Sequence, residues 1–135
     1  MQNKLQNTNL ASEFYVASQL FRLGYIVTLT LGHTKEIDLI VVNGNKIITI
    51  DVKGLKNTTN WPIALKSKKK NHFFALVAWN NKFENLYIRP DIFIIPSNRI
   101  KKLLTKWSGR PNVTCVNYSK VKNSKYKEAW KLSFK

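Results

Sequence analysis

The stretch Ile37–Gly54, IDLIVVNGNKIITIDVKG, decides the fold. Two apolar runs flank Asn43-Gly44-Asn45, and a turn of that composition between such runs reads as a β-hairpin. Asp38 opens the first strand, and Asp51-Val52-Lys53 closes the second. A two-residue loop at Asn43-Gly44 sets Asp38 opposite Thr49; a loop at Gly44-Asn45 sets it opposite Asp51. Side chains alternate with period two, so either register puts Asp38, Asp51 and Lys53 on one face. Only a slip or a bulge would part them. Opposed residues in such a pair lie about 4.5–5.5 Å apart, and diagonal ones about 7–8 Å. Two carboxylates therefore converge at one sheet edge, with an ammonium beside them.

Opposed like charges destabilise a strand pair, and a divalent cation turns that repulsion into coordination. Magnesium takes oxygen ligands, commonly one or two carboxylates completed by water and substrate phosphate. The chain has few acids to spend on such a feature: seven Asp and Glu against 23 Lys and Arg, a net charge of +16. A surface so basic attracts polyanions and releases counterions from a phosphate backbone, which points to nucleic acid as the partner.

A length of 135 residues suits one domain, and 44% hydrophobic residues with 16 aromatic ones suit a packed core. Cys115 is the one cysteine, which excludes a disulfide framework and a thiolate metal cluster. No run approaches the roughly 18 apolar residues of a membrane span, and the N-terminal segment lacks an apolar signal core. A cytoplasmic protein with no membrane attachment is the expectation.

Upstream, Asn9 reads as the cap of a helix over Leu10–Leu23 that Gly24 ends. Leu10, Phe14, Ala17, Leu20 and Phe21 share one stripe of that helix, and Glu13 falls inside it. The hairpin face with Ile40, Val42 and Ile47 needs a cover; this stripe fits it and would deliver Glu13 to the acids. Strands are expected at 25–31, 37–42, 46–53 and 73–79, with 86–89 and 92–95 returning and 113–117 last. Residues 54–62 read as a polar loop, and helices are expected over 99–107 and 124–134. The order gives a single α/β or α+β domain over residues 1–135, with a central mixed sheet flanked by helices.

These residues resemble the PD-(D/E)xK nuclease superfamily, most closely its small Holliday-junction-resolvase-like and restriction-endonuclease-like members. The resemblance runs over about residues 9–80: a helix with Glu13, a strand, a strand with Asp38, then a strand with Asp51-Val52-Lys53. It departs from the pattern at Ile37, where the family name places proline. It implies a restriction-endonuclease-like fold and a Mg2+- or Mn2+-dependent endonuclease that hydrolyses phosphodiester bonds, most often in DNA. By the same resemblance Asp38 and Asp51 bind the metal, with the Val52 carbonyl and Glu13 as further ligands. Lys53 then orients or deprotonates the attacking water and steadies charge on the phosphate.

A homodimer is expected, since two strands need two sites. Restriction, repair and recombination roles all fit such an enzyme. Two other functions remain open: a nuclease-fold module that only binds nucleic acid, and a basic RNA-binding protein. Around the cluster, Lys56, Lys66, Lys68, Lys69 and Lys70 form a candidate phosphate-tracking patch. Glu36 and His33 are further candidates near the acids, and Trp61 is a candidate for stacking on bases.

Overall fold

The computed structural model describes residues 4–31, 37–64 and 70–132. In chain order come helix α1 (Lys4–Arg22), strands β1 (Ile26–Leu29), β2 (Leu39–Asn43), β3 (Lys46–Leu55), β4 (Asn60–Pro62), β5 (His72–Ala78) and β6 (Asp91–Pro96). There follow a one-turn helix α2 (Ser97–Ile100) running into a 3-10 turn (Lys101–Leu103), strands β7 (Leu104–Trp107) and β8 (Arg110–Asn117), and helix α3 (Tyr118–Val121). Five strands form one mixed sheet in the order β1-β2-β3-β5-β6, with β3 and β5 parallel. Strands β4, β8 and β7 form a second, antiparallel sheet.

Of the two hairpin registers, the second is found. Asn43 pairs with Lys46 and Leu39 with Ile50, so the loop is Gly44-Asn45. Gly44, at φ +62°, supplies the left-handed residue that a two-residue hairpin demands. Period two then gives β3 two faces. Ile48, Ile50 and Val52 join Leu39, Val41, Val27, Phe73, Ala75 and Val77 beneath Val16, Ala17 and Leu20 of α1. On the opposite face Leu55, Phe74, Leu76, Phe93 and Ile95 pack against Trp61, Val116, Ile100 and Val121, which come from the second sheet and the short helices.

Several expectations are corrected here. Helix α1 covers the Leu39–Ile50 face, not the face carrying Ile40, Val42 and Ile47. On that other face Ile26, Val42 and Ile47 pair directly across three strands and are 65%, 36% and 62% exposed. The helix starts at Lys4, so Asn9 is no cap; Thr8, Ser12, Glu13, Val16, Ala17 and Leu20 are buried while Phe14 and Phe21 are half exposed. The cause is Gly54. A Cβ there would overlap Ser12 Oγ and stand 3.0 Å from Thr8 O, so β3 and α1 meet along small side chains and turn the phenylalanines outward.

The expected helix over 99–107 is one turn, and Leu104–Trp107 is a strand because it pairs with β8. Residues 54–62 are not one loop: β3 runs on to Leu55 and β4 starts at Asn60. Residues 86–89 form no strand, 86 and 87 being turn and 88 and 89 irregular, and the return strand is β6. No helix covers 124–132; Glu128 at φ +54° breaks it, and the segment instead bonds to β6 through Ile94 N–H to Tyr126 O (3.0 Å) and Glu128 N–H to Ile92 O (2.8 Å). No helix among the described residues is long and apolar enough to cross a membrane.

Candidate active site

The acids gather where β2 parts from β3. The last ladder pair of the hairpin is Leu39 with Ile50. One residue further out, Asp38 N–H still reaches Ile50 O (2.9 Å), and the Asp38 carbonyl accepts from Thr30 N–H (2.9 Å). Thr30 Oγ1 in turn donates to Ile37 O (2.7 Å), pinning the approach to the strand. The next β3 donor facing this side, Val52 N–H, bonds to the Asp38 carboxylate at Oδ2 (2.7 Å). A side chain thus takes the place of main chain in the ladder, and the Asp38 carboxylate lies in the fork between the strands. An extended residue directs its N–H and C=O to the same neighbour, so the Val52 carbonyl turns toward that fork as well.

From the fork, Asp38 is reached from both sides of the sheet. Glu13, buried on α1, interacts with it from the helix side and buried Asp51 from the other, and each of these two acids is harder to ionise for having Asp38 beside it. Lys53 Nζ, partly exposed, sits 3.3 Å from Asp51 Oδ1. Burial pushes Glu13 up to about 8, aided by its interaction with Asp38 and the charges of Asp38 and Asp51, against the opposing pull of Lys53. Burial likewise lifts Asp51 to about 7, with the nearby Lys53 ammonium resisting and Asp38 adding to the rise. Carboxylates crowded together need a proton or a cation between them.

Among the described residues no group of three His, Cys, Asp or Glu side chains is placed so as to hold a metal ion by itself. The donor set is nonetheless chemically suited to a hard divalent ion: all-oxygen, crowded, partly desolvated and with one edge open at Lys53.

No protein-family model matches the chain, and no curated protein matches it in sequence. Among solved structures, a bacterial homing endonuclease, I-Ssp6803I, is similar with a TM-score of 0.56 at 15% identity, over 96% of this chain and 90% of that one. The fold is one that a nuclease uses. At that identity the likeness speaks for the backbone, and the site must be judged on the side chains just described.

Glu13, Asp38, Asp51, Val52 and Lys53 are thus brought together within this fold. Lys56 lies beyond them, exposed, with Nζ 5.1 Å from the centre of the Phe83 ring. Lys70 is exposed before β5, while Lys66, Lys68, Lys69, Glu36 and His33 fall outside the described residues. Trp61 is not available for stacking: it is 1% exposed, and its Nε1 donates to Val77 O (3.1 Å).

Three positioning residues escaped the sequence reading. Thr30 ties β1 to Asp38, and Ser12 accepts from Trp79 Nε1 (3.0 Å) while donating to Thr8 O (2.7 Å). Gly54 lets that part of α1 come close enough to set Glu13 over the fork. A glycine immediately after Asp51-Val52-Lys53, inside a strand, was the available signal for such an approach.

Proposed function

We propose that this chain is a divalent-metal-dependent nuclease that hydrolyses phosphodiester bonds in DNA. The observation that carries the proposal is the fork itself: three carboxylates meeting from three elements, with Lys53 3.3 Å from one of them. In a chain with seven acids among 135 residues, burying Glu13 and Asp51 against Asp38 costs stability, a cost that a bound cation would offset.

Asp38, Asp51, Glu13 and the Val52 carbonyl would hold the ion, magnesium or manganese. When bound, such an ion polarises the phosphoryl oxygen and lowers the pKa of bound water. The chain's own residues supply the rest. Lys53, held by Asp51 yet open to solvent, orients the attacking water and stabilises charge growing on the phosphate. The Val52 N–H fixes one Asp38 oxygen, and the other would face the ion. The net charge of +16 draws the substrate in. A homodimer belongs to the same proposal, because cutting both strands takes two such sites.

The test is to incubate the protein with labelled linear, nicked, flapped and four-way DNA, with magnesium, manganese or chelator. Cleavage is expected only with metal. Asp51→Asn and Lys53→Ala are each expected to slow it by about a hundredfold or more while nucleic-acid binding stays close to wild type. Cleavage at wild-type rates by both variants, or cleavage in chelator, would refute the reading.

A further inference from the structure

Residues 79–90, between β5 and β6, form a loop that is braced throughout its length and yet holds apolar side chains in water. Its root is bound to the exit of β3, with Trp79 N–H to Leu55 O (2.8 Å) and Asn81 N–H to Lys56 O (2.6 Å). Successive turns follow, Lys82 N–H to Trp79 O, Asn85 N–H to Lys82 O and Ile88 N–H to Asn85 O, and Asn85 Oδ1 caps Tyr87 N–H (3.1 Å). Phe83 stands edge-on against Trp79 at 5.2 Å, and on the far side Arg89 is paired with Glu128 at 3.1 Å. Against this brace, Leu86 is 91% exposed and Tyr87 99%. Lone exposed apolar residues are ordinary. Two in a row, almost wholly exposed at the tip of a cross-braced loop, are not.

Position says what they meet. Lys53 pairs with Leu76 and Leu55 with Ala78, so the loop springs from the sheet about 7 Å along the strand from the Lys53 level. At its foot is a groove of about 410 Å³ lined by Lys56, Lys82, Asn81, Asn85, Phe83 and Glu84. Two ammonium groups and two amides against one carboxylate suit phosphates, and a flat apolar tip beyond them suits the faces of bases. A nucleic acid offers both chemistries.

We propose that this loop is a wedge that enters nucleic acid next to the phosphate held at the acid fork: Leu86 parts one base step, Tyr87 stacks on the base set free, and Lys56 and Lys82 hold the flanking phosphates. Inserting apolar side chains costs unstacking, so the favoured substrate is DNA whose stacking is already broken, at a nick, flap or branch. The inference deepens the nuclease reading by naming its substrate class, while the binding it describes does not depend on cleavage.

The experiment titrates the full chain, in chelator, into nicked and intact duplexes that carry the fluorescent adenine analogue aminopurine at successive steps. Wild type is expected to raise the fluorescence severalfold at one or two steps and to bind nicked DNA more tightly than intact. The Leu86→Ser/Tyr87→Ser double variant is expected to lose that rise and to bind about ten- to a hundredfold more weakly. Its salt slope is expected to stay that of wild type, whereas Lys82→Ala lowers the slope by about one. Tyr87→Phe is expected to keep the signal.

A double variant that folds, binds and fluoresces as wild type does overturns the wedge and leaves the nuclease reading standing. A wild-type signal in a protein that cuts nothing with any metal overturns the nuclease reading and leaves the wedge. Wild-type binding by a double variant whose mass falls from dimer to monomer assigns Leu86 and Tyr87 to a contact between copies and overturns the proposal. Absence of any binding by wild type overturns both.

Discussion

Adding a single carbon at residue 54 tests how α1 is seated, and with it how Glu13 reaches the fork. The Cβ of Gly54→Ala would overlap Ser12 Oγ and lie 3.0 Å from Thr8 O and 3.2 Å from Ser12 Cβ. Ser12 cannot simply swing aside, because Oγ donates to Thr8 O (2.7 Å) and accepts from Trp79 Nε1 (3.0 Å). Breaking both bonds costs about 1 kcal/mol each. Lifting the helix instead loosens Val16, Ala17 and Leu20 above the sheet, an overpacking cost of about 1–3 kcal/mol. Either route gives a loss of about 2 kcal/mol, which for a domain of this size lowers Tm by about 7 °C. Metal-dependent cleavage is expected to fall as well, since Glu13 follows Ser12 in α1. The assay is thermal unfolding by circular dichroism beside the cleavage assay, for Gly54→Ala, Ser12→Ala and both together. Removing the Ser12 oxygen relieves the overlap, so the double variant is expected to lose at least about 0.5 kcal/mol less than the sum of the singles. A Gly54→Ala protein with wild-type Tm, or strictly additive losses, would refute this account.

Other outcomes follow from the same contacts. Glu13 at about 8 and Asp51 at about 7 bind protons more tightly folded than unfolded, so in chelator the stability present below pH 4 is expected to fall as pH rises toward 8. Magnesium is expected to restore Tm at pH 8 and to do little at pH 5, and Asp51→Asn to flatten the fall; melts across that range check all three. Tyr118→Phe removes the 2.7 Å bond to Asp91 Oδ2 and is expected to cost about 1–2 kcal/mol in denaturant titrations. Burial pushes Asp91 up, but the bonds from Tyr118 and Asn80 and the Lys127 charge outweigh it and hold the carboxyl below its ordinary range. Part of the Tyr118→Phe cost is therefore expected to vanish as pH falls toward 3. Ile48→Ala is expected to lose about 2–5 kcal/mol, and Ile47→Ala, on the open face, within about 0.5 of none.

The hairpin and its acids were readable because their signals are local: a turn, an alternation and a spacing of two. Which side α1 covers was not, because apolar periodicity favoured Phe14 and Phe21 while the close approach at Gly54 favoured Thr8 and Ser12. The second sheet was only half visible. Its strands pair Trp61 with Val116 and Leu104 with Val116, and a lone sequence carries no mark of which distant segments meet. Tyr126 and Trp130 sit four apart and so read as helix, yet Glu128 between them is left-handed because its N–H goes to Ile92 instead. The in-plane role of the Asp38 carboxylate needed coordinates, since alternation assigns a side chain to one face or the other and never to the fork between.

The stitching of Tyr126 and Glu128 onto β6 has a consequence for how the chain must be handled. It covers the β6 margin of the five-stranded sheet, whose other outer strand is the four-residue β1. A protein trimmed at residue 122 would keep the entire acid fork but expose a six-residue ribbon, Asp91–Pro96, rich in isoleucine and ready to template strands from its neighbours. Shortened forms are therefore expected to precipitate rather than to lose residues of the fork, with the Tyr126–Glu128 stretch acting as the guard against self-polymerisation.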